Sequence, residues 1–324
     1  MSGLGLAVIG AGIMGANHAR VARQSNEVDL VAVVDQDPER ASAAVESNGR
    51  WCTDVGEVVD DIEAAVVAVP TQHHHAIALD LIAAGKHLLI EKPLAGTVDE
   101  AREIVSAADA AGVILAVGHI ERFNAAAAEL SKWVQDPIHI RAERINPYSP
   151  RILDGVVLDL MIHDIDIVLS LAGDAEVAHV SGVGRHARSA SEDLASATIR
   201  FTNGLTASLT TSRLGQQKIR QIEVTQPSSV VVADLLRQDI TIHRMSSHEY
   251  LSDEGARYRQ SSMVEIPFLE TRGEPLALEL AHFVECVRTG GRPRVDGEAG
   301  LRALALAHQI DGALSRSDAP EVVS

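Results

Sequence analysis

The chain is poor in cysteine and in long apolar runs. Only two of its 324 residues are cysteine, Cys52 and Cys286, and they lie far apart in the sequence. This spacing excludes a disulfide scaffold and a cysteine-based zinc site, and it suits a reducing, cytoplasmic compartment. No segment approaches the ~18 consecutive apolar residues of a membrane-spanning helix. The N-terminus has no basic stretch ahead of its apolar run, so we expect no signal peptide.

Positive charge and aromatic residues are also scarce. Lys and Arg number 28 against 45 Asp and Glu, which gives a formal net charge of −17. A chain with this charge repels nucleic acid and anionic membranes, so we expect neither as a partner. Apolar residues make up 46% of the sequence but aromatic residues only 3%, so we expect a sizeable core of Ala, Val, Leu and Ile.

A glycine-rich turn lies near the N-terminus, between an apolar run and a helical pattern. The run LGLAVI precedes Gly10-Ala11-Gly12-Ile13-Met14-Gly15, and a second apolar run ends at Asp35. In a strand–turn–helix–strand unit, Gly10 permits the tight turn, Gly12 lets the backbone approach a pyrophosphate, and Gly15 lets helix and strand pack closely. The N–H groups at the start of the helix then face the phosphates.

The residue that ends the second apolar run indicates the cofactor. Asp35 would accept hydrogen bonds from the adenosine ribose and would repel a 2′-phosphate. No Arg follows it directly, and Arg40 is the nearest. We therefore predict NAD as the cofactor, preferred over NADP.

Apolar runs and helical patterns continue to alternate up to about residue 120. This alternation predicts a Rossmann-type, doubly wound parallel sheet over residues 1–119. Ligands bind beyond the carboxyl ends of the strands in such sheets. The residues that we expect beside the cofactor are therefore Gly10, Gly12, Ile13, Met14, Gly15, Asp35, Pro70, Thr71, His74, Glu91 and Lys92.

Period-two runs dominate the remainder of the chain. They predict an α+β domain over residues 120–324, with a large open, mainly antiparallel sheet that carries its helices on one face. Asn203-Gly204 between two such runs is typical of a type I′ hairpin. The exposed face of the sheet, where Val, Leu and Thr alternate, is a natural surface for oligomer formation.

Four polar residues interrupt the apolar segment LDLMIHDIDIV at residues 158–168. In a regular helix of ~100° per residue, Asp159 and His163 lie ~40° apart, and Asp166 falls on the same face. Asp164 lies ~140° from Asp159. We expect the first three to form a polar stripe at the active site, and Asp164 to be structural, for example in a salt bridge.

Three motifs in sequence order resemble those of the Gfo/Idh/MocA oxidoreductase family. They are the glycine-rich turn, Glu91-Lys92-Pro93, and Asp159-Leu160-Met161-Ile162-His163, which is similar to the family's Asp-x-x-x-His. Residues 69–74 resemble its Thr-Pro-Asn…His stretch, except that Val69 replaces Thr. The resemblance implies NAD(P)-dependent oxidation or reduction of a sugar or cyclitol carbon, with Lys92, Asp159 and His163 around the reacting hydroxyl.

Other segments resemble one subgroup of that family, which oxidises carbon 3 of UDP-N-acetylglucosamine. They are GHIERFN at residues 118–124, PRILDGVVLDLMIHDID at 150–166, and the C-terminal stretch that begins EPLALELAHF at residue 274. The resemblance also implies a homodimer or homotetramer formed through the second-domain sheet. The alternatives are an inositol or free-sugar dehydrogenase of the same family and, in a different class, a non-catalytic NAD-binding sensor or scaffold.

The chemistry of alcohol oxidation suggests a role for each residue of the proposed site. A base must take the hydroxyl proton while hydride leaves the carbon, and imidazole side chains in general suit this task near neutral pH. We therefore predict that His163 is the base, that Asp159 orients its ring, and that Lys92 stabilises the developing alkoxide. Lys92 itself, neutral because burial lowers its pKa, is the alternative base.

Further polar residues are candidates for substrate binding. Arg122, Asn124, Tyr148 and Arg151 could contact the substrate together with the three catalytic candidates, and Arg122, Arg144 and Arg151 could neutralise a diphosphate. The run at residues 73–75 contains three histidines. Neighbours on a helix point ~100° apart and cannot readily converge on one ion, so we expect no metal site there.

Overall fold

The computed structural model describes residues 3–45, 49–149, 154–252, 255–270 and 273–317. The α-helices are α1 Ile13–Gln24, α2 Pro38–Ala43, α3 His74–Ala83, α4 Val98–Ala111, α5 Ala125–Trp133, α6 Ile162–Ala172, α7 Pro275–Thr289 and α8 Gly297–Ser317. Two compact units are present. The first contains residues up to 123 together with 273–305, and the second contains 124–272 and the residues from 306 onwards. In the described ranges, no helix combines the length and the apolar character needed to cross a bilayer.

The first unit is built on a six-stranded parallel sheet. Its strands are β1 Leu4–Ile9, β2 Val28–Val34, β3 Trp51–Cys52, β4 Ala64–Val67, β5 His87–Glu91 and β6 Leu115–Gly118. Their order is β3-β2-β1-β4-β5-β6. All four residues of β4 are buried, as expected for a parallel strand covered on both faces. The strand order reverses between β1 and β4, which is the point where doubly wound sheets bind ligands at their carboxyl edge. The predicted Rossmann-type sheet is confirmed.

Local sequence signals fix where the connecting helices begin and end. In α4, the Thr97 side chain accepts the Glu100 N–H, and the Glu100 carboxylate accepts the Thr97 N–H. This reciprocal pair is a capping box. The helix ends at Gly112, whose φ of 66° is left-handed and therefore favours glycine. Both ends of α4 are therefore fixed by local sequence signals.

The core of the first unit contains residues from both ends of the sequence. Apolar side chains of β1 and β2 pack in one buried cluster with the inner face of α7, which contributes Leu276, Leu280, Phe283 and Val284. The compact unit therefore includes a helix from far beyond residue 119. The domain boundary between residues 119 and 120 stays a prediction.

The second unit is built on an eight-stranded sheet. Its strands are β7 His139–Ile145, β8 Val177–Arg185, β9 Leu194–Phe201, β10 Thr206–Ser212, β11 Ile219–Thr225, β12 Ser229–Asp234, β13 Asp239–Ser252 and β14 Gly255–Glu265. Their order is β14-β13-β12-β11-β7-β10-β9-β8. Six of the seven neighbouring pairs are antiparallel, and β7 with β10 is parallel. Burial alternates residue by residue along β12, so one face of that strand is covered. The mainly antiparallel sheet is confirmed.

One turn differs from its prediction. A hairpin joins β9 to β10 as expected, but the Gly204 N–H donates to the Phe201 carbonyl at 3.1 Å, so the turn spans residues 201–204. Gly204 has φ of 91°, whereas among the described residues the one non-glycine with positive φ is Gln238. Type I′ requires positive φ at both central residues, Thr202 and Asn203 here, so that assignment is wrong.

Candidate active site

The three glycines of the N-terminal turn differ in what surrounds them. Gly10 has φ of 97°, and a Cβ added there would lie 2.6 Å from the Ala68 carbonyl oxygen. A Cβ on Gly15 would lie 1.7 Å from the carbonyl oxygen of Gly10. A Cβ on Gly12 would meet no atom of the described residues within 4 Å. Gly10 and Gly15 are therefore required by close packing of turn and helix, while Gly12 faces open space.

The start of α1 suits an anionic ligand. Gly12 is its N-cap and offers no side-chain acceptor to the first-turn N–H groups. Those donors are unsatisfied within a helix and attract phosphate. Ile13, predicted to lie beside the cofactor, is 77% exposed, and Met14 packs against the core of the unit. The turn and helix thus fit the pyrophosphate of a dinucleotide.

The Asp35 side chain lies directly beside this turn. Its Oδ2 accepts the Ala11 N–H at 2.7 Å, and its Oδ1 accepts the Asp37 N–H at 2.9 Å. Arg40 lies 3.7 Å from Oδ1 but donates through Nε to Asp37 at 2.9 Å. A carboxylate therefore stands at the end of β2, and the nearest cation is already paired with a neighbouring acid.

Residues after β4 take different positions at the carboxyl edge of the sheet. Pro70 is exposed and Thr71 is half-buried. His74 is fully buried, with its ring nitrogens 2.9 Å from the carbonyl oxygens of Val69 and Pro93. Burial lowers the pKa of His74, and the two carbonyls oppose that effect. These contacts tie the chain after β4 to the chain after β5, and they do not support the predicted contact between His74 and the cofactor.

Glu91 and Lys92 follow one another at the end of β5. Glu91 is buried, its Oε1 lies 2.8 Å from His18 Nε2, and its Oε2 accepts the Lys92 N–H at 3.2 Å. Lys92 is half-buried. The Glu91 carboxylate is therefore engaged within the protein, and its predicted contact with the cofactor stays a prediction. Lys92 stands at the strand end, on the ligand-binding edge of the sheet.

The segment that contains Asp159 and His163 begins with a wide turn. Val157–Met161 is π-helical, and the Ile162 N–H donates to the Val157 carbonyl five residues earlier. From Ile162 the chain is a regular α-helix. The prediction of a uniform α-helix is therefore wrong at the first turn of this segment. An angle of ~100° per residue does not describe the step from Asp159 to His163. Such wide turns are frequent at functional sites.

The four polar residues of this segment differ in burial. Asp159 and His163 are half-buried, whereas Asp164 and Asp166 are each 2% exposed. The predicted stripe thus contains two residues with access to solvent and one without. Whether all three serve catalysis stays a prediction.

Asp164 forms a buried ion pair with Arg144 of β7. Arg144 Nε lies 3.1 and 3.0 Å from the two carboxylate oxygens, and Nη2 lies 2.8 Å from Oδ1. Both side chains are almost fully buried. The expectation that Asp164 is structural is confirmed. The suggestion that Arg144 binds a diphosphate is wrong, because its guanidinium is buried against this carboxylate.

A second buried arginine supports the start of the same segment. Arg213 follows β10, and its Nη2 donates to the carbonyl oxygens of Asp154 at 2.6 Å and Glu192 at 2.9 Å. Its Nε lies 3.0 Å from Asp193. Burial alone would raise the pKa of Asp193, but N–H groups of residues 187–189 and the Ser189 hydroxyl hold it well below its usual range. Sequence patterns gave no reason to single out Arg213.

The substrate-binding residues predicted outside this helix differ in burial and in their contacts. Arg122 is half-buried in a 3₁₀ turn after β6. Asn124 is buried and caps α5 by accepting the Ala126 N–H at 3.1 Å, and it donates to Leu235 at 2.8 Å, so these contacts do not support a substrate role. Tyr148 donates to the Arg188 carbonyl at 3.2 Å, with the Arg188 guanidinium 5.4 Å from its ring centre. Arg151 lies outside the described residues.

The three histidines at residues 73–75 turn to different partners. His73 Nε2 lies 3.2 Å from Gln72 Nε2, within hydrogen-bond distance. The His74 ring lies between two backbone carbonyls, and His75 Nε2 lies 2.8 Å from Glu103 Oε2. In the described ranges, no group of three or more His, Cys, Asp or Glu side chains is arranged to hold a metal ion.

Two family models match the chain. One, described as the NAD-binding Rossmann fold of an oxidoreductase family, Gfo/Idh/MocA, matches residues 4–119. The other, described as the C-terminal alpha/beta domain of the same family, matches residues 144–313. Together the two matches cover both the glycine-rich turn and the segment with Asp159 and His163.

Curated relatives and solved structures agree with these matches. UDP-N-acetylglucosamine 3-dehydrogenase of Acidithiobacillus ferrooxidans is 31% identical over 94% of this chain and 95% of its own length. The NAD-dependent scyllo-inositol 2-dehydrogenase of Bacillus subtilis is 30% identical over 89% of this chain and 87% of its own. The solved structure of the A. ferrooxidans enzyme superposes with a TM-score of 0.87 over 98% of this chain and 99% of that one, at 30% identity. The chain belongs to the Gfo/Idh/MocA family of NAD-binding oxidoreductases.

Proposed function

We propose that the protein is an NAD-dependent dehydrogenase that oxidises a secondary alcohol of a nucleotide-linked sugar, with carbon 3 of a UDP-N-acetylhexosamine as the substrate position. The observation that carries this proposal is the pair Asp159 and His163. They are the polar residues of an otherwise apolar helical segment that keep access to solvent, while the neighbouring Asp164 is committed to Arg144. The identity to a UDP-N-acetylglucosamine 3-dehydrogenase over 94% of the chain supports the substrate.

His163 takes the hydroxyl proton in the proposed reaction. The carbon–hydrogen bond of the same carbon breaks with both of its electrons, so the alcohol becomes a ketone. When bound, NAD supplies the acceptor for that hydride. Asp159 orients the imidazole and stabilises its protonated form. Lys92 stabilises the alkoxide oxygen that develops as the proton leaves.

The first unit supports NAD as the cofactor of this reaction. The first-turn N–H groups of α1 would hold the pyrophosphate, and the absence of a side chain on Gly12 leaves space for it. The Asp35 carboxylate would accept the ribose hydroxyls and repel a 2′-phosphate. Pro70 and Thr71 stand at the same edge of the sheet. NAD is therefore the preferred cofactor over NADP.

A cyclitol or free sugar is the second candidate substrate. It is supported by the 30% identity to an inositol dehydrogenase. A cyclitol requires hydrogen bonds alone, whereas a UDP-sugar also requires cations for its diphosphate. Arg122 and Arg151 remain the candidates for that role, since Arg144 is buried with Asp164.

A substrate panel tests these proposals. The purified protein is incubated with NAD and, separately, with UDP-sugars, free hexoses and inositols, and NADH absorbance is followed. We expect turnover with UDP-N-acetylglucosamine or a close relative of it. Turnover with an inositol and none with a UDP-sugar would replace the proposed substrate with a cyclitol. Absence of turnover with every compound, together with measurable NAD binding, would favour a non-catalytic sensor or scaffold.

The cellular setting and assembly belong to the same proposal. A cytoplasmic enzyme is supported by the low cysteine content. A homodimer or homotetramer formed through the second-unit sheet is supported by exposed apolar side chains on β8 and β14, Val183, Met263 and Val264. Sedimentation of the purified chain would test the assembly.

A further inference from the structure

A cluster of three buried titratable residues lies within the first unit, outside the residues assigned to catalysis. His18 belongs to α1, Glu91 to the end of β5 and Glu279 to α7. Their exposed fractions are 1%, 7% and 2%. Polar groups buried to this degree cost free energy unless their surroundings stabilise them. The two helices and the strand that carry them are far apart in the sequence, so no short sequence motif places them together.

Glu91 is the centre of this cluster. Its Oε1 lies 2.8 Å from His18 Nε2, and its Oε2 accepts the Lys92 N–H at 3.2 Å. The paired residue on β6 is Gly118, and a Cβ there would lie 3.2 Å from both the carboxyl carbon and Oε2 of Glu91. The carboxylate of Glu91 therefore occupies a space left by a glycine, and it fixes the backbone N–H of Lys92.

Glu279 stands in an apolar position of α7. Its neighbours on the inner face of that helix are Leu276, Leu280 and Phe283. Within the described part of the chain, neither of its carboxylate oxygens has a hydrogen-bond partner. Burial first, and then the charge of Glu91, raise the pKa of Glu279 well above its ordinary value. A leucine in this position would avoid the cost of burying a carboxyl group.

Burial of these polar side chains costs stability. The cluster lies at the end of β5, directly before Lys92. We propose that His18 and Glu279 are positioning residues for Lys92, which act through the Glu91 carboxylate. The inference rests on the proposed function, because it assigns them to the reaction in which Lys92 stabilises the alkoxide. His18 holds one oxygen of Glu91, and the buried carboxyl of Glu279 lies within electrostatic range of the same group. Displacement of a catalytic group by ~1 Å can cost up to ~100-fold in rate.

Substitutions of Glu279 separate a positioning role from a structural one. Glu279→Leu should leave the melting temperature unchanged or higher, keep KM and the dissociation constant for NAD within about twofold, and lower kcat by about 10-fold or more. Glu279→Gln, which keeps a neutral polar group of the same shape, should restore kcat. Val284→Ala on the same helix is the matched control, since Val284 is 1% exposed and lies outside the cluster. It should lower the melting temperature and spare kcat.

His18 provides an independent pair of variants. His18→Leu should lower kcat in the same way, and His18→Gln, which keeps an N–H donor for Glu91, should restore most of it. If Glu279→Leu does not fold, the His18 pair decides the question. The assay uses UDP-N-acetylglucosamine, or the member of the substrate panel that the wild-type protein oxidises.

The outcomes distinguish this inference from the proposed function. Absence of turnover by the wild-type protein with the whole panel contradicts the proposed function. An active wild-type protein whose Leu variants keep kcat within about twofold contradicts the positioning role. So does a loss of kcat that accompanies a falling melting temperature and is not restored by Gln. A selective loss of kcat with rescue by Gln supports it.

Discussion

Arg144 and Asp164 form a bidentate ion pair in the interior of the second unit, with contacts of 2.8 to 3.1 Å. Arg144 lies on the central strand β7, and Asp164 lies in the first turn of α6. The pair therefore fixes the rotation of α6 about its own axis against the sheet. His163 precedes Asp164 in the chain, so the orientation of the candidate base depends on a neighbour that takes no part in the proposed chemistry.

Removal of one partner of this pair should strongly destabilise the protein. Asp164→Ala leaves the Arg144 charge buried without its carboxylate, and we expect a loss of about 3–5 kcal/mol in the free energy of unfolding. Urea denaturation measures the change. Asp99→Ala, which removes an exposed ion pair with Arg102, is the control and should have little effect. Equal effects of the two variants would contradict a stabilising role for the buried pair.

Substitution of His163 should affect turnover and not cofactor binding. His163→Ala removes the proposed base, and we expect kcat to fall by about 10²- to 10⁴-fold. The dissociation constant for NAD, measured by calorimetry, should not change. His179→Ala, which removes an exposed imidazole of the same unit, should leave kcat unchanged. Near-normal turnover of His163→Ala would reassign the base, with Lys92 as the next candidate.

Substitution of Asp35 should weaken the preference for NAD. Asp35→Ser removes the carboxylate that would repel a 2′-phosphate and leaves Arg40 nearby as a cation. We expect the ratio of kcat/KM for NAD to that for NADP to fall by about 10-fold or more, which corresponds to ~1.4 kcal/mol. Steady-state assays with the two cofactors measure the ratio. The double variant Asp35→Ser/Arg40→Ala should lose most of the increase in kcat/KM for NADP. A ratio that stays unchanged in both variants would show that the Asp35 carboxylate does not set the preference for NAD.

The buried carboxyl of Glu279 should make stability depend on pH. Its pKa is raised in the folded state, so between its unfolded and folded pKa values folding takes up one proton. Stability therefore falls as pH rises above the ordinary pKa of a glutamate carboxyl. Glu279→Gln should remove this dependence, so the variant gains stability over the wild type as pH rises above the ordinary pKa of a glutamate carboxyl. Urea denaturation across this range measures it.

Glu285→Gln is the control for this prediction. Glu285 lies on the same helix and its side chain is 73% exposed. This variant should follow the wild-type slope. Stability curves of Glu279→Gln and the wild type that stay parallel over the whole range would show that Glu279 is ionised in the folded protein.

Features with a short-range signal could be predicted from the sequence. The roles of Gly10 and Gly15 depend on their own backbone and on contacts within one turn, and the structure confirms the close packing at both. Asp164 lies in the regular part of α6, and its ion pair with Arg144 confirms the expected structural role, although the wide turn changes the angle to Asp159 from which that role was predicted. Sequence periodicity is sufficient where a side chain is placed by the element that carries it.

Features that depend on distant residues could not be predicted. The wide turn at Asp159 changes the helical angle without a proline or glycine inside it. Asn124 reads as a polar residue after a strand, but Leu235, more than a hundred positions away, accepts its amide N–H. Glu279 reads as one charged residue of an amphipathic helix, and only the position of Glu91 shows that it lies beside another carboxyl group.

The position of α7 has a consequence for synthesis of the protein on the ribosome. The glycine-rich turn and β1 leave the exit tunnel early, but their core is completed by Leu280 and Phe283 of α7. Domains that are continuous in sequence can fold while the rest of the chain is still being made. Here the N-terminal strands must wait through translation of nearly the whole polypeptide, with their apolar surface incompletely covered. Any nascent chain that ends before α7 therefore lacks the side chains that complete the core of the cofactor-binding unit.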